Sequence, residues 1–218
     1  MISKGMLEQS RELIQAQLPP LARRVAEGVP ILGLEPSCLL TLKDEWPELV
    51  PGPESRHVAA AAELAESWFV KQAQAGQCEV RFKEIRNPKS EKKIRNPKSE
   101  IRNSPVRCLL HGHCHQKALE GTSGTVAALQ LVPGLSVTAL DAGCCGMAGS
   151  FGYEKEHYDL SVAIAGLELL PILNAELAAD PDTLIVANGT SCRHQIKDLA
   201  HHRALHPMEV LAGQMATE

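Results

Sequence analysis

The chain contains 218 residues, of which 44% are hydrophobic and 22% charged, and its formal net charge is −4. This composition is ordinary for a soluble globular protein with one full hydrophobic core. The sequence has no run of about 18 apolar residues, which a membrane-spanning helix requires, and its polar N-terminus does not resemble a signal peptide. We therefore expect a cytoplasmic protein, in which the seven cysteines serve metal or redox chemistry rather than structural disulfides.

The apolar pattern predicts helices that alternate with short strands. The expected helices cover Met6–Glu27 with a kink or split at Pro19 and Pro20, Leu39–Trp46, Ala59–Ala73, Thr122–Gln130, Ser161–Ala178 with an interruption at Pro171, and His206–Met215. The expected strands cover Val29–Leu34, Val106–Leu110, Leu135–Leu140 and Thr183–Ala187. Strands that are separated by helices pair in parallel through crossover connections. The predicted fold class is therefore α/β: a layered domain with a small, mostly parallel sheet, flanking helices, and cysteine loops at the C-terminal edge of the strands.

A basic tandem repeat divides the chain. Between Arg81 and Arg107 there are ten Lys or Arg against three Glu, although the whole chain has 22 basic and 26 acidic residues. The heptapeptide IRNPKSE occurs at 85–91 and again at 94–100, and its composition is typical of a disordered linker. Because the repeat contains no aromatic residue that could stack on bases, we expect no nucleic-acid partner.

Five of the seven cysteines lie just after a predicted strand: Cys38, Cys114, Cys144, Cys145 and Cys192. In an open parallel sheet such positions meet at one edge, where ligand sites form, and helix N-termini there stabilise thiolates. Glycines such as Gly146 let the backbone approach an inorganic cluster and donate amides to its sulfurs. We predict a metal centre at these cysteines, whereas Cys108 inside an apolar strand is interpreted as a buried hydrophobic residue and Cys78 as incidental.

Two distant segments share one pattern. Ile31–Trp46 and Ile185–Ala200 each pass from an apolar strand through Ser-Cys into a helix, with Lys-Asp at the same register. The pattern suggests a truncated first copy of a cysteine-rich module before a complete second copy. We therefore predict a first copy over residues 1–80, a disordered basic linker over 81–105, and the second copy over 106–218.

Three histidines surround Cys114, namely His111, His113 and His115. They could bind metal, or they could hydrogen-bond backbone groups and shape the loop. Because neighbouring side chains point in different directions, we expect at most one of the three to bind the same ion. His113 and His115, which flank Cys114, are the candidate metal ligands.

The motifs HGHCHQKA (111–118), DAGCCGMAGSFGYEKEHYD (141–159), NGTSCRHQI (188–196) and ALHPMEVLA (204–212) together form a recognisable set. They closely resemble the C-terminal cysteine-rich, or CCG, region of large FAD-linked oxidases. That family is related to the iron–sulfur subunits of glycolate and lactate oxidation, of anaerobic glycerol-3-phosphate dehydrogenase and of heterodisulfide reductase. EPSCLLTLKDEWPELVP (35–51) resembles the end of the family's first copy.

The resemblance implies an iron–sulfur cluster, of 4Fe–4S type, at Cys114, Cys144, Cys145 and Cys192, with Cys38 matching the last cysteine of the first copy. Electrons would pass from a flavin that oxidises a 2-hydroxy acid of lactate or glycolate type, through this centre, toward a membrane quinone or another acceptor. The FAD would lie on a partner subunit or on a domain missing from this chain, which would turn over no substrate alone and would lie peripheral to the inner membrane through its partners. One departure is Gly189, which stands where the family often has the first cysteine of a Cys-x-x-Cys pair. The second copy therefore keeps four cysteines at the family's positions, besides Cys108 in the apolar strand.

Three alternatives remain open at this stage. The same thiolates could hold a structural zinc ion, with His113 or His115 as a further ligand. The adjacent cysteines could instead carry out direct thiol–disulfide chemistry. The chain could also be a degenerate fragment that binds nothing. For the electron-transfer hypothesis, no catalytic residue is predicted in this chain.

Overall fold

The computed structural model describes residues 2–86 and 105–216. The strands in these ranges are β1 (Ile31–Gly33), β2 (Ala62–Leu64), β3 (Val106–His111), β4 (Leu135–Ala139) and β5 (Leu184–Ala187). The α-helices are α1 (Leu7–Ala26), α2 (Pro36–Leu39), α3 (Glu45–Leu49), α4 (Pro53–Ala61), α5 (Ala65–Gln74), α6 (Cys114–Leu119), α7 (Ser123–Leu129), α8 (Tyr158–Ala165), α9 (Leu169–Ala179), α10 (Thr190–Leu199) and α11 (Pro207–Gln214). Helices flank small sheets, so the predicted α/β class is confirmed.

Both sheets are parallel. β1 pairs with β2, and in the second sheet β3 lies between β4 and β5. Cys108 in the central strand lies opposite Val137 on one side and Leu184 on the other, and His111 lies opposite Ala187. Since the three strands run in the same direction, the loops that follow them leave from one edge of the sheet.

The central strand is buried on both faces, as its apolar sequence predicts. On one face Leu109 packs with Leu169 and Leu173, and on the other Leu110 packs with Leu129 and Val210. Cys108 is fully buried within the second of these clusters, as predicted. Burial raises the pKa of its thiol to about 12, so this thiol is neutral in the metal-free chain.

The first helix was expected to kink or split at Pro19 and Pro20, and it does not split. Helix α1 continues through both prolines to Ala26. The two prolines lie on the exposed side, where the carbonyls that lose an amide donor can bind water. On the opposite side Ile14 and Leu18 are buried in a cluster with Trp46. This packing outweighs the local cost of the prolines.

Three further helix predictions need correction. The expected helix Leu39–Trp46 is divided, because α2 ends at Leu39, a 3-10 helix covers Leu40–Leu42 and α3 begins at Glu45. The expected helix Ala59–Ala73 is interrupted by β2, because Ala62 and Leu64 are buried against Leu39 and the segment pairs with β1. The expected helix Ser161–Ala178 breaks between α8 and α9, upstream of Pro171. That proline lies in the first turn of α9, where a missing amide costs no helical hydrogen bond.

In the described part of the chain, no single helix combines the length and apolar character that crossing a bilayer requires. One pair, Lys155–Ala165 with Leu169–Ala179, meets the criteria of length and composition together, with a bend of 58° between its members.

The segments before and after the basic repeat pack against each other. Val70 of α5 shares a hydrophobic cluster with Ala128, Val132 and Leu211 of the later segment. Most of the predicted linker, residues 87–104, lies outside the described residues. The chain therefore joins its two segments through a common core rather than through the repeat alone.

Buried hydrogen bonds also connect the segment before the basic repeat to the segment after it. Glu66, fully buried at the start of α5, accepts hydrogen bonds from Asn188 and from Thr125, the latter at 3.1 Å. Gln116 donates to the same Thr125 hydroxyl at 2.9 Å. Burial raises the pKa of the Glu66 carboxyl above its ordinary value, although the hydrogen bonds from Thr125 and Asn188 oppose this shift.

The raised pKa of Glu66 predicts a specific pH dependence of stability. Because the folded chain binds this proton more tightly than the unfolded chain, its contribution is fully present below the ordinary pKa of 4.5 and is lost as pH rises through the folded pKa. Glu66→Gln keeps an oxygen for both donors and removes the titration. We expect the variant to gain stability relative to the natural chain between about pH 5 and pH 8, as measured by urea unfolding.

The matched control is Glu66→Leu, which removes the acceptor of the Thr125 hydroxyl and leaves Asn188 with only its 3.3 Å hydrogen bond to Thr125. Relative to Glu66→Gln, this change should cost about 1–3 kcal/mol at both ends of the pH range, because neither variant carries the titrating carboxyl. A difference in stability between the natural chain and Glu66→Gln that stays constant across this range would contradict the assignment of the titration to Glu66.

Candidate metal centre

Cysteines follow the strands of the larger sheet at its C-terminal edge. Cys114 begins α6 after β3, Cys144 and Cys145 lie in the loop after β4, and Cys192 is the third residue of α10 after β5. Cys38 is likewise the third residue of α2, which follows β1. The two segments with matching sequence patterns thus share the same local structure around their cysteines.

Four of the five thiols of the later segment form a continuous chain of neighbours, namely those of Cys114, Cys144, Cys145 and Cys192. The Sγ atoms of Cys114 and Cys144 lie 3.6 Å apart. The Cys145 thiol hydrogen-bonds to both Cys144 and Cys192, which links the two ends of the site. Cys145 and Cys192 are buried, whereas Cys114 and Cys144 are half-buried. Three loops that are distant in sequence therefore bring four free thiols together.

These contacts shift the pKa values of the four thiols in opposite directions. Hydrogen bonds from the thiols of Cys114 and Cys145 lower the pKa of Cys144, and a hydrogen bond from Cys145 lowers the pKa of Cys192. The same hydrogen bonds raise the pKa of the two donors, Cys114 and Cys145. The Gly146 amide donates to the Cys144 sulfur at 3.3 Å and further favours its thiolate. Thiolate is the form that binds metal, and binding would displace the remaining protons.

The donor set fits a thiophilic metal centre. For a tetrahedral ion with metal–sulfur bonds of about 2.3 Å, neighbouring sulfurs lie about 3.8 Å apart, close to the 3.6 Å between Cys114 and Cys144. Three of the donors, namely a ring nitrogen of His111 and the sulfurs of Cys145 and Cys192, lie within 4.8 Å of one another. An iron–sulfur cluster is larger than one ion, so these loops would have to open to hold it. Glycines at 146 and 149, both with positive φ, give the Cys144–Cys145 loop its shape.

The predicted histidine ligands lie in different surroundings. His113 is buried, and its Nδ1 accepts a hydrogen bond from the His115 amide at 3.2 Å, which caps α6. The His115 Nε2 lies 3.6 Å from a carboxylate oxygen of Asp44. The role of His113 and His115 as metal ligands stays a prediction, while the histidine that lies within 4.8 Å of two of the sulfurs is His111.

Cys38 and Gly146 occupy different positions relative to the four sulfurs. Gly146 contacts Cys144 directly through its amide. Cys38 is exposed and lines a cleft together with His115 and Gly149. Its participation in the centre stays a prediction, as does the ligand role of the other cysteines.

Two residues that the sequence reasoning did not single out connect the first segment to the site. The Glu35 carboxylate accepts a hydrogen bond at 2.7 Å from the amide of Thr190, at the start of the helix that carries Cys192. Burial opposes its ionisation, but hydrogen bonds from Thr190 and Ser37 outweigh burial and hold the pKa of Glu35 below its ordinary value. His206 caps α11, and its Nε2 lies 2.8 Å from the Leu34 carbonyl oxygen. In the sequence, the only indication of a role for these residues was their position within recognisable motifs: Glu35 lies in the motif at 35–51 and His206 in the motif at 204–212.

Comparison with known proteins identifies relatives over nearly the whole chain. A protein of Escherichia coli strain K12 that forms part of anaerobic glycerol-3-phosphate dehydrogenase is 27% identical over 217 residues, which is 99% of this chain. D-2-hydroxyglutarate dehydrogenase from Pantoea ananatis is 26% identical over 209 residues, and its counterpart from Escherichia coli strain K12 is 25% identical over 215 residues. Each of these two alignments covers 95% of the chain. The resemblance predicted from the cysteine-rich motifs is therefore confirmed.

The chain spans only part of each relative. It covers 48% of the protein from anaerobic glycerol-3-phosphate dehydrogenase and 18% of each of the two D-2-hydroxyglutarate dehydrogenases. No family model matches the sequence, and no solved structure matches it.

Proposed function

We propose that this chain is an iron–sulfur electron-transfer module of a flavin-dependent dehydrogenase that oxidises a 2-hydroxy acid of lactate or glycolate type. The observation that carries the proposal is the assembly of four free thiols, from three loops, at one edge of a parallel sheet. The proposed ligands are Cys114, Cys144, Cys145 and Cys192, with Cys38 as a further contributor. The cluster is proposed to be of 4Fe–4S type.

The relatives support electron transfer rather than substrate binding as the role of this segment. One group of relatives is named for glycerol 3-phosphate and the other for D-2-hydroxyglutarate, yet each aligns with at least 95% of the chain. Both names describe the dehydrogenation of an alcohol, which releases two electrons. A segment shared by enzymes with such different substrates fits a step that follows substrate oxidation. The name of the second group favours a 2-hydroxy acid as the substrate class.

Residues of this chain would bind the centre and set its properties. A bound cluster would accept and release one electron at a time. The four thiolates would hold it, and the Gly146 amide, which donates to Cys144, would stabilise charge on sulfur and so influence the potential. The buried positions of Cys145 and Cys192 would exclude water from one side, while the half-buried Cys114 and Cys144 would face a partner.

The proposed assembly follows from this role. FAD would lie on a partner subunit or on a further domain of a larger enzyme, and electrons would leave toward a quinone. Residues 1–80 would be a truncated first copy of the module and residues 106–218 the complete second copy. A cytoplasmic location, peripheral to the inner membrane through these partners, is part of the same proposal.

Anaerobic reconstitution tests the proposal. The full chain is purified under argon, incubated with iron and sulfide, and desalted. Iron and acid-labile sulfide content, visible absorption and EPR of the reduced sample are then measured. We expect bound iron and sulfide in equal amounts, a broad charge-transfer absorption near ~400 nm, and an EPR signal that disappears when the reduced sample is oxidised.

Competition with zinc separates this function from a structural metal site. A parallel sample receives zinc alone, and a third receives zinc before iron and sulfide. Tight binding of one zinc per chain that iron and sulfide cannot displace would overturn the electron-transfer proposal in favour of a zinc site. A folded chain that takes up neither metal would also overturn it and would leave thiol chemistry as the remaining hypothesis.

A further inference from the structure

His111 is a buried imidazole whose ring nitrogens make no hydrogen bond of normal geometry. It is the last residue of β3, lies opposite Ala187 in the sheet, and is 0% exposed. Among the described residues, neither its Nδ1 nor its Nε2 makes a hydrogen bond of normal geometry, although a weak interaction of the ring with the Cys192 sulfur helps to lower the pKa of that thiol. Burying polar atoms in this way is unfavourable, so the protein retains His111 at a cost to the stability of the metal-free chain.

The unpaired ring lies against two of the four clustered sulfurs. One ring nitrogen of His111 and the Sγ atoms of Cys145 and Cys192 all lie within 4.8 Å of one another, and all three residues are buried. Such a group has the composition and spacing of a mixed thiolate–imidazole metal site. An ion bound there would satisfy one of the two unpaired nitrogens.

Of the three histidines, His111 is the one whose ring nitrogen lies within 4.8 Å of both the Cys145 and the Cys192 sulfurs among the described residues. His113 uses Nδ1 to cap α6, and His115 faces Asp44. Gly189, three residues before Cys192, has no side chain, and a Cβ placed there would lie 2.5 Å from the His113 ring and 3.2 Å from the Cys192 sulfur. The space beside Cys192 on that side is therefore filled by the His113 ring, and His111 approaches Cys192 and Cys145 together.

We propose that His111 is a nitrogen ligand of the metal centre, beside Cys145 and Cys192, so that the centre has mixed cysteine and histidine ligation. This inference rests on the proposed iron–sulfur function and names a ligand that the sequence-based choice of His113 and His115 left out. A neutral imidazole adds no negative charge to the cluster, unlike a thiolate. His111 therefore makes reduction easier than an all-thiolate set of the same size, as histidine ligation does in other iron–sulfur proteins.

Pulsed EPR with isotope labelling tests the inference. The full chain is prepared with ¹⁵N confined to histidine, reconstituted anaerobically with iron and sulfide, and reduced to its paramagnetic state. ENDOR and HYSCORE spectra then report any histidine nitrogen bound to the cluster. We expect one strongly coupled ¹⁵N in the natural chain, the loss of this coupling in His111→Leu, and its retention in His115→Ala. We also expect a lower reduction potential in His111→Cys.

The stability of the metal-free chain distinguishes a metal ligand from a histidine whose role is purely structural. His111→Leu removes two unpaired buried nitrogens while keeping a side chain of similar size, so its urea midpoint without metal should equal or exceed that of the natural chain. A clear loss of metal-free stability would indicate a structural role and overturn the inference.

The outcomes separate this inference from the proposed function. A cluster in the natural chain without a strongly coupled histidine nitrogen would overturn the role of His111 and leave the iron–sulfur function intact. Coupling that persists in His111→Leu would assign the ligand to another histidine and overturn the inference. A natural chain that assembles no cluster would overturn the proposed function and, with it, the ligation of an iron–sulfur centre by His111.

Discussion

Replacing Cys145 by serine is expected to abolish the absorption of the reconstituted centre and to lower bound iron by more than about tenfold. Cys145 is the central member of the sulfur chain, since its thiol hydrogen-bonds to both Cys144 and Cys192. Even residues that only orient metal ligands change metal affinity by about 10–100-fold, so the loss of a direct ligand should cost at least as much. Iron content and visible absorption after anaerobic reconstitution measure the effect.

The matched control is Cys108→Ser. Cys108 is buried like Cys145, but it lies within β3 and packs against Leu129 and Val210. The same hydroxyl at this position should reduce stability and leave iron bound per folded chain unchanged. If Cys145→Ser kept a normal spectrum, or if both variants lost iron equally, the assignment of Cys145 to the centre would be wrong.

The larger sheet and the gathering of cysteines were predictable because both depend on strong local signals. The apolar segments around Leu109, Val137 and Ile185 are short and bounded by turn residues, as in buried parallel strands. Parallel pairing then places the residues that follow each strand at one edge. The clustering of Cys114, Cys144, Cys145 and Cys192 follows from that topology without knowledge of any side-chain contact.

The first segment was harder to predict because tertiary contacts override its local preferences. Ala62–Leu64 lies in a sequence with good helix formers, yet pairing with β1 and the burial of Leu64 make it a strand. Helix α1 tolerates Pro19 and Pro20 because its opposite face is packed. Sequence periodicity contains neither the strand partner nor the exposure of a helix face.

Discrimination among the three histidines also depended on three-dimensional information. In the sequence, His113 and His115 are adjacent to Cys114, which made them the natural candidates. In the structure, the strand ends at His111, and this residue is buried beside cysteines from two other loops. Proximity to one cysteine in sequence is therefore a weaker guide than the end of a central strand, where several loops meet.

The Cys144–Cys145 loop depends on Gly146, and we expect Gly146→Ala to destabilise the chain by more than about 3 kcal/mol. Gly146 has a φ of +90°, a conformation that residues with a Cβ rarely adopt. A Cβ at this position would also lie 2.1 Å from the backbone carbonyl oxygen of Ser161, which cannot move without shifting α8. Urea unfolding of the metal-free chain measures the loss.

Gly149→Ala, in the same loop, separates the cost of the positive φ from the cost of the steric clash with Ser161. Gly149 has a positive φ of +69°, but nothing lies within 4 Å of a Cβ placed on it. This variant should therefore lose only the conformational contribution, about 1 kcal/mol. Iron binding should follow the same order, because the Gly146 amide contacts the Cys144 sulfur. Equal losses in the two variants would show that the close approach of Gly146 to Ser161 does not shape the loop, and that backbone conformation alone holds the adjacent cysteines in place.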